Sequence, residues 1–408
     1  MGRGLSTVDQ IVAADLCAGC GACAALAPDA IEMRHAESGF ARPQKIGAVS
    51  RSQDKMIGQI CPGRAQSAPQ PAEHQHGLWG PYTALSQGWT KDPELRHAGA
   101  SGGALSQMLV WLLEAGKVDA VVQIAAHSDR PMANQIVLSQ TRADVLRAAA
   151  SRYAPSSPLA VVGQLLEAEG RFAFVGKPCD VAGLRRWAER DPRVAERFPV
   201  MVSFFCAGVP SLKGAENVAQ HLGVAASDVA RFQYRGGGWP GPTEVETKDG
   251  QIRSMAYRES WGELLSPHVQ QRCRICADGL GLAADIAFAD AWETDPQGYP
   301  LFDEQEGRSM ILARTALGAR LVDDATREGA LHSEPLEIEA LAAMQPGQLR
   351  RRTELLGRLA GRVLAGMPIP KYRNLGIWAC ARQAGLARTL LVMLGSARRV
   401  FLNRRWQS

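Results

Sequence analysis

Cys17-Ala18-Gly19-Cys20-Gly21-Ala22-Cys23, answered far downstream by Cys61-Pro62, is the stretch on which the reading of this chain turns. Two gaps of two residues bring three thiolates onto one small object, and the distant Cys-Pro supplies a fourth. A zinc site usually asks for matched Cys-x-x-Cys pairs rather than an evenly spaced trio. Gly19 and Gly21 suit a loop wound tightly around a cluster, where backbone angles must be permissive and amides must face sulfur. The spacing favours an iron–sulfur cluster over zinc or incidental cysteines.

The trio follows the run of bacterial ferredoxins with one departure. A cysteine before proline would fall at position 27, where the chain reads Ala27-Pro28. In two-cluster ferredoxins that cysteine serves the other cluster, so its loss predicts one cluster here, with Cys61 as the fourth ligand. Residues 1–65 read as a small ferredoxin-like 4Fe–4S unit, too short to bury a core without its cluster. Residues 66–80, with Ala, Gln, Pro and His and no periodicity, read as a linker. There His74 and His76 are better explained as solvated than as metal ligands.

With 408 residues the chain exceeds what one hydrophobic core usually organises, so two or three domains are expected. Its 46% hydrophobic and 21% charged residues are ordinary for a globular protein. The net charge of +5 is spread out, without a basic tract interleaved with aromatics, which argues against nucleic acid. No apolar signal core precedes the cysteines, and no stretch is long and apolar enough to span a bilayer. The expected location is cytoplasmic, where thiols serve metals rather than disulfides.

Five further cysteines remain. Cys179 ends the run Phe172-Ala-Phe-Val-Gly-Lys-Pro-Cys, a strand that gives way to a helix capped by Asp180. Cys206 ends a similar run, Val200-Met-Val-Ser-Phe-Phe-Cys. In a parallel sheet both would leave the carboxyl edge, where function concentrates. Cys273-Arg-Ile-Cys276 is a pair that can chelate alone. Two strand-end cysteines and one pair would complete a second four-thiolate site, but distant singles are equally well read as small buried residues. Cys380 lies on a C-terminal helix and reads as a plain helical residue.

The Gly-rich stretch Gly99-Ala-Ser-Gly-Gly103 runs into an apolar helix ending near Gly116. Free amides at such a helix start can hold a pyrophosphate, although the loop lacks the dinucleotide fingerprint and could serve only packing. Arg96 and His97 stand just upstream. The turn Gln233-Tyr-Arg-Gly-Gly-Gly-Trp239 is either a loop over a planar ligand, rimmed by Arg235 and Trp239, or a hairpin connection. Asp285 and Asp290 read as carboxylates at the Cys273–Cys276 site, able to relay protons or to orient loops. Strands alternate with helices from residue 118 onward, predicting an α/β core with a largely parallel sheet.

The ordered set resembles the coenzyme F420 hydrogenase/dehydrogenase beta-subunit family, which includes 7-hydroxymethyl chlorophyll a reductase-like proteins. The matching pieces are the Cys17–Cys23 trio, Cys61-Pro62, Gly99–Gly103, Val175-Gly-Lys-Pro-Cys179, Phe205-Cys206, Cys273-x-x-Cys276 and Ala284–Asp290. The resemblance implies an oxidoreductase with two 4Fe–4S clusters and FAD. Electrons would pass from a ferredoxin-type donor through both clusters to FAD and an organic redox substrate, coenzyme F420-like or other. It assigns Cys179, Cys206, Cys273 and Cys276 to the second cluster. It also puts Ser101, Gly102 and Gly103 near the FAD phosphates and makes Arg152 and Tyr153 flavin contacts; Arg235, from the glycine-rich turn, is the further candidate for the cofactor.

The expected architecture is α/β with α+β elements. The ferredoxin-like unit precedes a mixed, largely parallel-sheet flavin and second-cluster domain over residues 81–345. A helical extension, 346–408, completes it and can pack on the body, meet a partner or lie on a membrane surface. Two rivals stand beside the self-contained enzyme: an electron-transfer subunit of a larger complex, and a zinc-binding interaction protein. A homo-oligomer or a partner subunit fits either redox reading.

Overall fold

A computed structural model describes residues 6–68, 73–293, 301 and 305–405. Among these, the largest sheet has eight strands: β1 (Ala84–Thr90), β2 (Ala120–Ala126), β3 (Asn134–Ser139), β4 (Phe172–Gly176), β5 (Val200–Phe204), β6 (Ile286–Asp290), β7 (Ser309–Ala313) and β8 (Leu331–Pro335). Their order is β8-β1-β7-β6-β5-β4-β2-β3. The four central strands β2, β4, β5 and β6 are mutually parallel, while the pairings of β3 with β2, and of β6-β7-β1-β8 in turn, are antiparallel, which returns β1 to the direction of the centre. The sheet is thus mixed around a parallel centre, as the alternation of strands and helices predicts.

Both faces of this sheet are covered, so its central strands are largely apolar, with Gln123 and Ser203 as buried polar exceptions. Met310 and Leu312 of β7 face one core with Trp79, Leu282, Leu355 and Leu359. Ile311, between them, faces the other, with Met108, Leu109 and Leu112 of a helix over Ala104–Glu114. The period of two along the strand divides one run between two cores.

The N-terminal unit keeps a core of its own, built on Val8, Ala27, Ile31 and Ile57. It contains a hairpin, Ile31–His35 with Ala41–Lys45, and a helix over Arg51–Ile60 capped by Ser50. The stretch 66–80 differs from a bare linker among its described residues. Ala65–Ser67 pairs with Lys371–Arg373, His74–His76 pairs with Gly80–Tyr82, and Leu78 and Trp79 are buried. His76 accepts the amides of Leu78 and Trp79 at 3.2 Å each, which gives it a turn-forming role.

The C-terminal residues are equally woven in. Helices run over Pro346–Thr353, Leu355–Leu364 and Ile377–Arg405. The last two bring Leu355 and Cys380 into the same core as Ile11, Leu16 and Trp79, joined by Leu375 from the loop before the last helix. Arg352 donates to the carbonyls of Leu78 and Ala277 at 2.9 and 2.6 Å. The Cys380 thiol is buried and donates to Gly77 O at 3.4 Å.

Candidate functional site

The first four cysteines converge. Cys17 and Cys20 lie on the loop that enters a short helix, Ala22–Leu26, Cys23 lies in that helix's first turn, and Cys61 caps the end of the helix Arg51–Ile60. All four line one small apolar cavity closed by Val8, Ile11, Ile57 and Ile60. Gly19 and Gly21 both hold positive φ, 76° and 89°, where a side chain would be strained. Gly19 N donates to Cys17 Sγ at 3.4 Å, and the amides of Ala22, Ala24, Gly63 and Arg64 serve the other sulfurs. Burial pushes the Cys61 thiol up to about 11, and Cys17 works in the same direction.

The second four gather at the sheet's carboxyl edge. Because β4 and β5 are parallel, the chain leaves both strands on one side, with Cys179 in the first turn of the helix Pro178–Ala188 and Cys206 just past β5. Cys179 lies within electrostatic reach of Cys206 and Cys276, and Cys206 within reach of Cys273 and Cys276. Burial pushes the Cys206 thiol up to about 12, reinforced by Cys273. Gly208, at φ 121°, leaves room for Cys273, whose Cβ would lie 3.3 Å from an added Cβ. Among the described residues no three His, Cys, Asp or Glu side chains draw together tightly enough to hold one metal ion. The first four share one cavity, whereas of the second four Cys206 alone lines a cavity among the described residues.

Cys206 also forms part of the wall of a cavity of about 320 Å³, within the range of small-molecule sites. Its lining combines the loop at Ser101 and Gly103 with Arg152, Tyr153, Lys177 and Arg235. Aromatic rings surround it: Tyr153 lies 4.9 Å from Trp261, and the Arg235 guanidinium sits 4.6 Å over Tyr257 and 5.0 Å over Trp292. Lys177 Nζ donates to Asp180 at 2.7 Å and to Ser156 at 3.0 Å. Burial opposes the charge on Lys177, but Asp180 and the Cys179 sulfur outweigh it and hold the ammonium above its ordinary range.

The expected flavin contacts divide. Ser101 and Gly103 line the cavity, and no side chain caps the helix that begins after Gly103, so its first amides are open to an anion. The Ser101 hydroxyl, however, donates to Ala289 O and Arg308 O, both at 3.2 Å. Gly102 turns away from the cavity, and a Cβ there would meet Gly307 O at 2.6 Å. Arg152 reaches the cavity wall while donating to four neutral acceptors: Asn134 Oδ1 at 2.9 Å, Phe232 O at 2.8 Å, and Pro131 O and Ala133 O at 2.7 Å each. Arg235 is buried and paired with both oxygens of Asp290, at 2.8 and 2.7 Å.

Three sequence expectations change here. Trp239 does not rim the cavity; it is buried and stacks on Trp292 at 4.7 Å. The stretch before it is a hairpin connection, joining Val229–Gln233 to Thr243–Thr247, even though Arg235 reaches the cavity. Asp285 stands at the opposite end of β6 from Asp290 and binds Arg185, Met201 N and Thr315 at 2.9–3.0 Å. A five-residue strand separates its two ends, so only Asp290 reaches the cavity. Lys177, Tyr257 and Trp292 went unnoticed as cavity residues. Lys177 stood beside Cys179 in Gly-Lys-Pro-Cys, whereas no local pattern marks the other two.

The fold and site define an α/β protein with two cysteine groups, one of them open to an aromatic, glycine-edged cavity. Family models described as coenzyme F420 hydrogenase/dehydrogenase, beta subunit N-term and C terminus match residues 85–162 and 169–339. The chain belongs to this family.

The chain is 23% identical over 364 residues to the coenzyme F420-dependent sulfite reductase of Methanocaldococcus jannaschii, covering 85% of this chain and 52% of the relative. It spans about half the length of that protein. It is 22% identical to coenzyme F420 hydrogenase subunit beta of Methanosarcina barkeri, covering 63% of this chain and 84% of the relative. To the protein of the same description from Methanothermobacter thermautotrophicus it is 21% identical, over 71% and 99% of the two chains. Among solved structures, a chain of the F420-reducing [NiFe] hydrogenase complex from Methanosarcina barkeri shares the fold. The TM-score is 0.50 at 21% identity, over 69% of this chain and 95% of that one.

Proposed function

We propose that the chain is an iron–sulfur flavoprotein oxidoreductase that takes electrons from a ferredoxin-type donor and delivers them to an organic acceptor, coenzyme F420-like or other. Cys17, Cys20, Cys23 and Cys61 would hold one 4Fe–4S cluster, and Cys179, Cys206, Cys273 and Cys276 a second. FAD would occupy the cavity beside Cys206. The observation that carries this reading is that Cys206 belongs at once to the second group of thiols and to the cavity wall. A redox centre there would lie next to whatever fills the cavity.

A leftover donor supports the clusters: Nε of Arg272 is buried beside both cysteine groups without a hydrogen-bond partner. Sulfide is an acceptor that such a donor suits. When bound, clusters supply one-electron steps, and a flavin joins them to two-electron chemistry. The residues themselves do the rest. The apolar wall of Val8, Ile11, Ile57 and Ile60 excludes water from the first group, and backbone amides offset charge on sulfur. Around the cavity, Tyr153, Tyr257 and Trp292 line the space a flat ring would enter, while the open amides after Gly103 favour an anion. A reducing compartment, the cytoplasm, suits eight unpaired thiols.

Anaerobic purification followed by iron, acid-labile sulfide and flavin analysis tests the reading. We expect roughly eight irons, four for each cluster, and one FAD per chain. A colourless, zinc-bearing protein would overturn it. The relatives named as subunits favour a second reading, in which the chain only feeds electrons to or from a partner. That reading predicts that the flavin is reduced by ferredoxin only after another subunit is added.

A further inference from the structure

The helix Ile377–Arg405 carries an apolar face that the fold leaves uncovered. Beyond Gly385, where a φ of 74° bends it, the helix continues for about 30 Å. One side packs on the helix Leu355–Leu364. There Gly357 and Gly361 admit it so closely that a Cβ on either would strike the backbone oxygens of Thr389 and Met393. Ser396 seals that side by donating to Arg358 O at 3.1 Å. The other side stands in water: Leu386 is 76% exposed, Leu391 65% and Leu394 58%, with Leu390, Phe401 and Leu402 beside them. Trp378, 71% exposed, extends this surface into an apolar groove of about 710 Å³ edged by Val363, Leu364 and Ile369. A continuous apolar surface of this kind marks a contact face.

Charge selects the occupant. From Ile377 to Ser408 the sequence has six arginines and no Asp or Glu. Arg382, Arg398 and Arg399 are exposed, and among the helix's described arginines Arg388 alone is ion-paired, to Glu354. Whatever covers the face must be apolar and negative together. Leucines flanked by Trp, Phe and Arg suit a helix lying in the headgroup layer of a bilayer. Among the described residues no helix is long and apolar enough to cross one.

We propose that the outer face of this helix, with Trp378 and the adjoining groove, lies on the surface of an anionic lipid bilayer. This placement does not depend on the redox reading. Co-sedimentation of the full chain with vesicles tests it, using phosphatidylcholine alone and with roughly 30% phosphatidylglycerol added. Binding should be at least about tenfold stronger to the anionic vesicles and should fall steeply at about 1 M salt. Leu391→Glu with Leu394→Glu should abolish it, and Arg398→Glu with Arg399→Glu should weaken it at least about tenfold, with melting unchanged because these side chains lie in solvent. Failure to bind either vesicle, or equal binding to both, overturns the proposal. So does a dimer that the leucine substitutions dissociate, since a protein partner would then be the cover.

Discussion

The guanidinium of Arg272 donates to the carbonyl oxygen of Pro62 at 3.0 Å, joining the residue before Cys273 to the residue after Cys61. The same side chain donates to Gln66 Oε1 at 2.6 Å and to the Tyr372 hydroxyl at 3.1 Å. It lies within electrostatic reach of Cys17 and Cys61 on one side and Cys179, Cys273 and Cys276 on the other. One buried cation is therefore shared by both groups of thiols. A positive charge there favours the more negative, reduced state of any cluster beside it. Replacing Arg272 by Met should lower the reduction potential of at least one cluster by on the order of tens of millivolts, read by a redox titration followed by electron paramagnetic resonance. Arg272→Lys should restore most of the potential. If the methionine variant titrated like the parent, the charge would have no such role.

The two groups of thiols should be separable by chemistry. Cys273→Ser should remove about half of the iron while FAD stays near its parental content, because the first group lies in its own cavity. Cys380→Ser provides the control, since that thiol lies inside the helical core and donates to Gly77 O; its iron content should not move. Equal iron in the Cys273 variant and the parent would sink the second-cluster assignment.

What could be read from the chain beforehand depended on how local the signal was. The trio at Cys17–Cys23 lies within seven residues, and its glycines announce the loop that wraps it. Strands β4 and β5 were legible because apolar runs, interrupted only by Ser203, ended at Gly-Lys-Pro and Phe-Cys. By contrast Tyr257 and Trp292 meet Arg235 only through tertiary packing, from separate segments with no shared spacing. Asp285 and Asp290 looked alike in sequence, but a strand places its two ends far apart, and only the sheet shows which end carries the cavity. The linker reading of 66–80 failed for a similar reason: the partner of Ala65–Ser67 is Lys371–Arg373, some three hundred residues on.

The join between the C-terminal helices should weaken in acid. Glu354 accepts from Arg358 at 2.7 Å and from Arg388 Nε at 3.0 Å. Burial alone would raise its carboxyl, but these hydrogen bonds outweigh that and hold it below the usual carboxylate range. A depressed folded value means that the stabilisation is present above the unfolded value of about 4.3 and is lost as the pH falls through and below it. Glu354→Gln should be less stable than the parent at neutral pH by about 1 kcal/mol or less, and the difference should shrink as the pH falls below about 4. Thermal melts of both proteins across pH 3–7 measure this; a constant gap would show that the pair does not titrate with folding.

Arg235 and Asp290 offer a sharper separation of support from binding. The pair is bidentate and nearly enclosed, and Asp290 also accepts from Trp239 Nε1 at 3.1 Å. Removing one partner strands the other charge, so Arg235→Met should cost about 3–5 kcal/mol. Removing both, as Arg235→Met with Asp290→Leu, takes away the stranded charge and should recover much of that loss, since apolar replacement of a buried pair is often close to neutral. Flavin content need not follow stability. If Arg235 serves a bound flavin as well as Asp290, the double variant should regain its melting temperature and still purify with FAD reduced at least about tenfold relative to the parent. Full recovery of both stability and FAD would assign Arg235 to the scaffold alone and leave recognition to the rings of Tyr153, Tyr257 and Trp292 and the amides beyond Gly103.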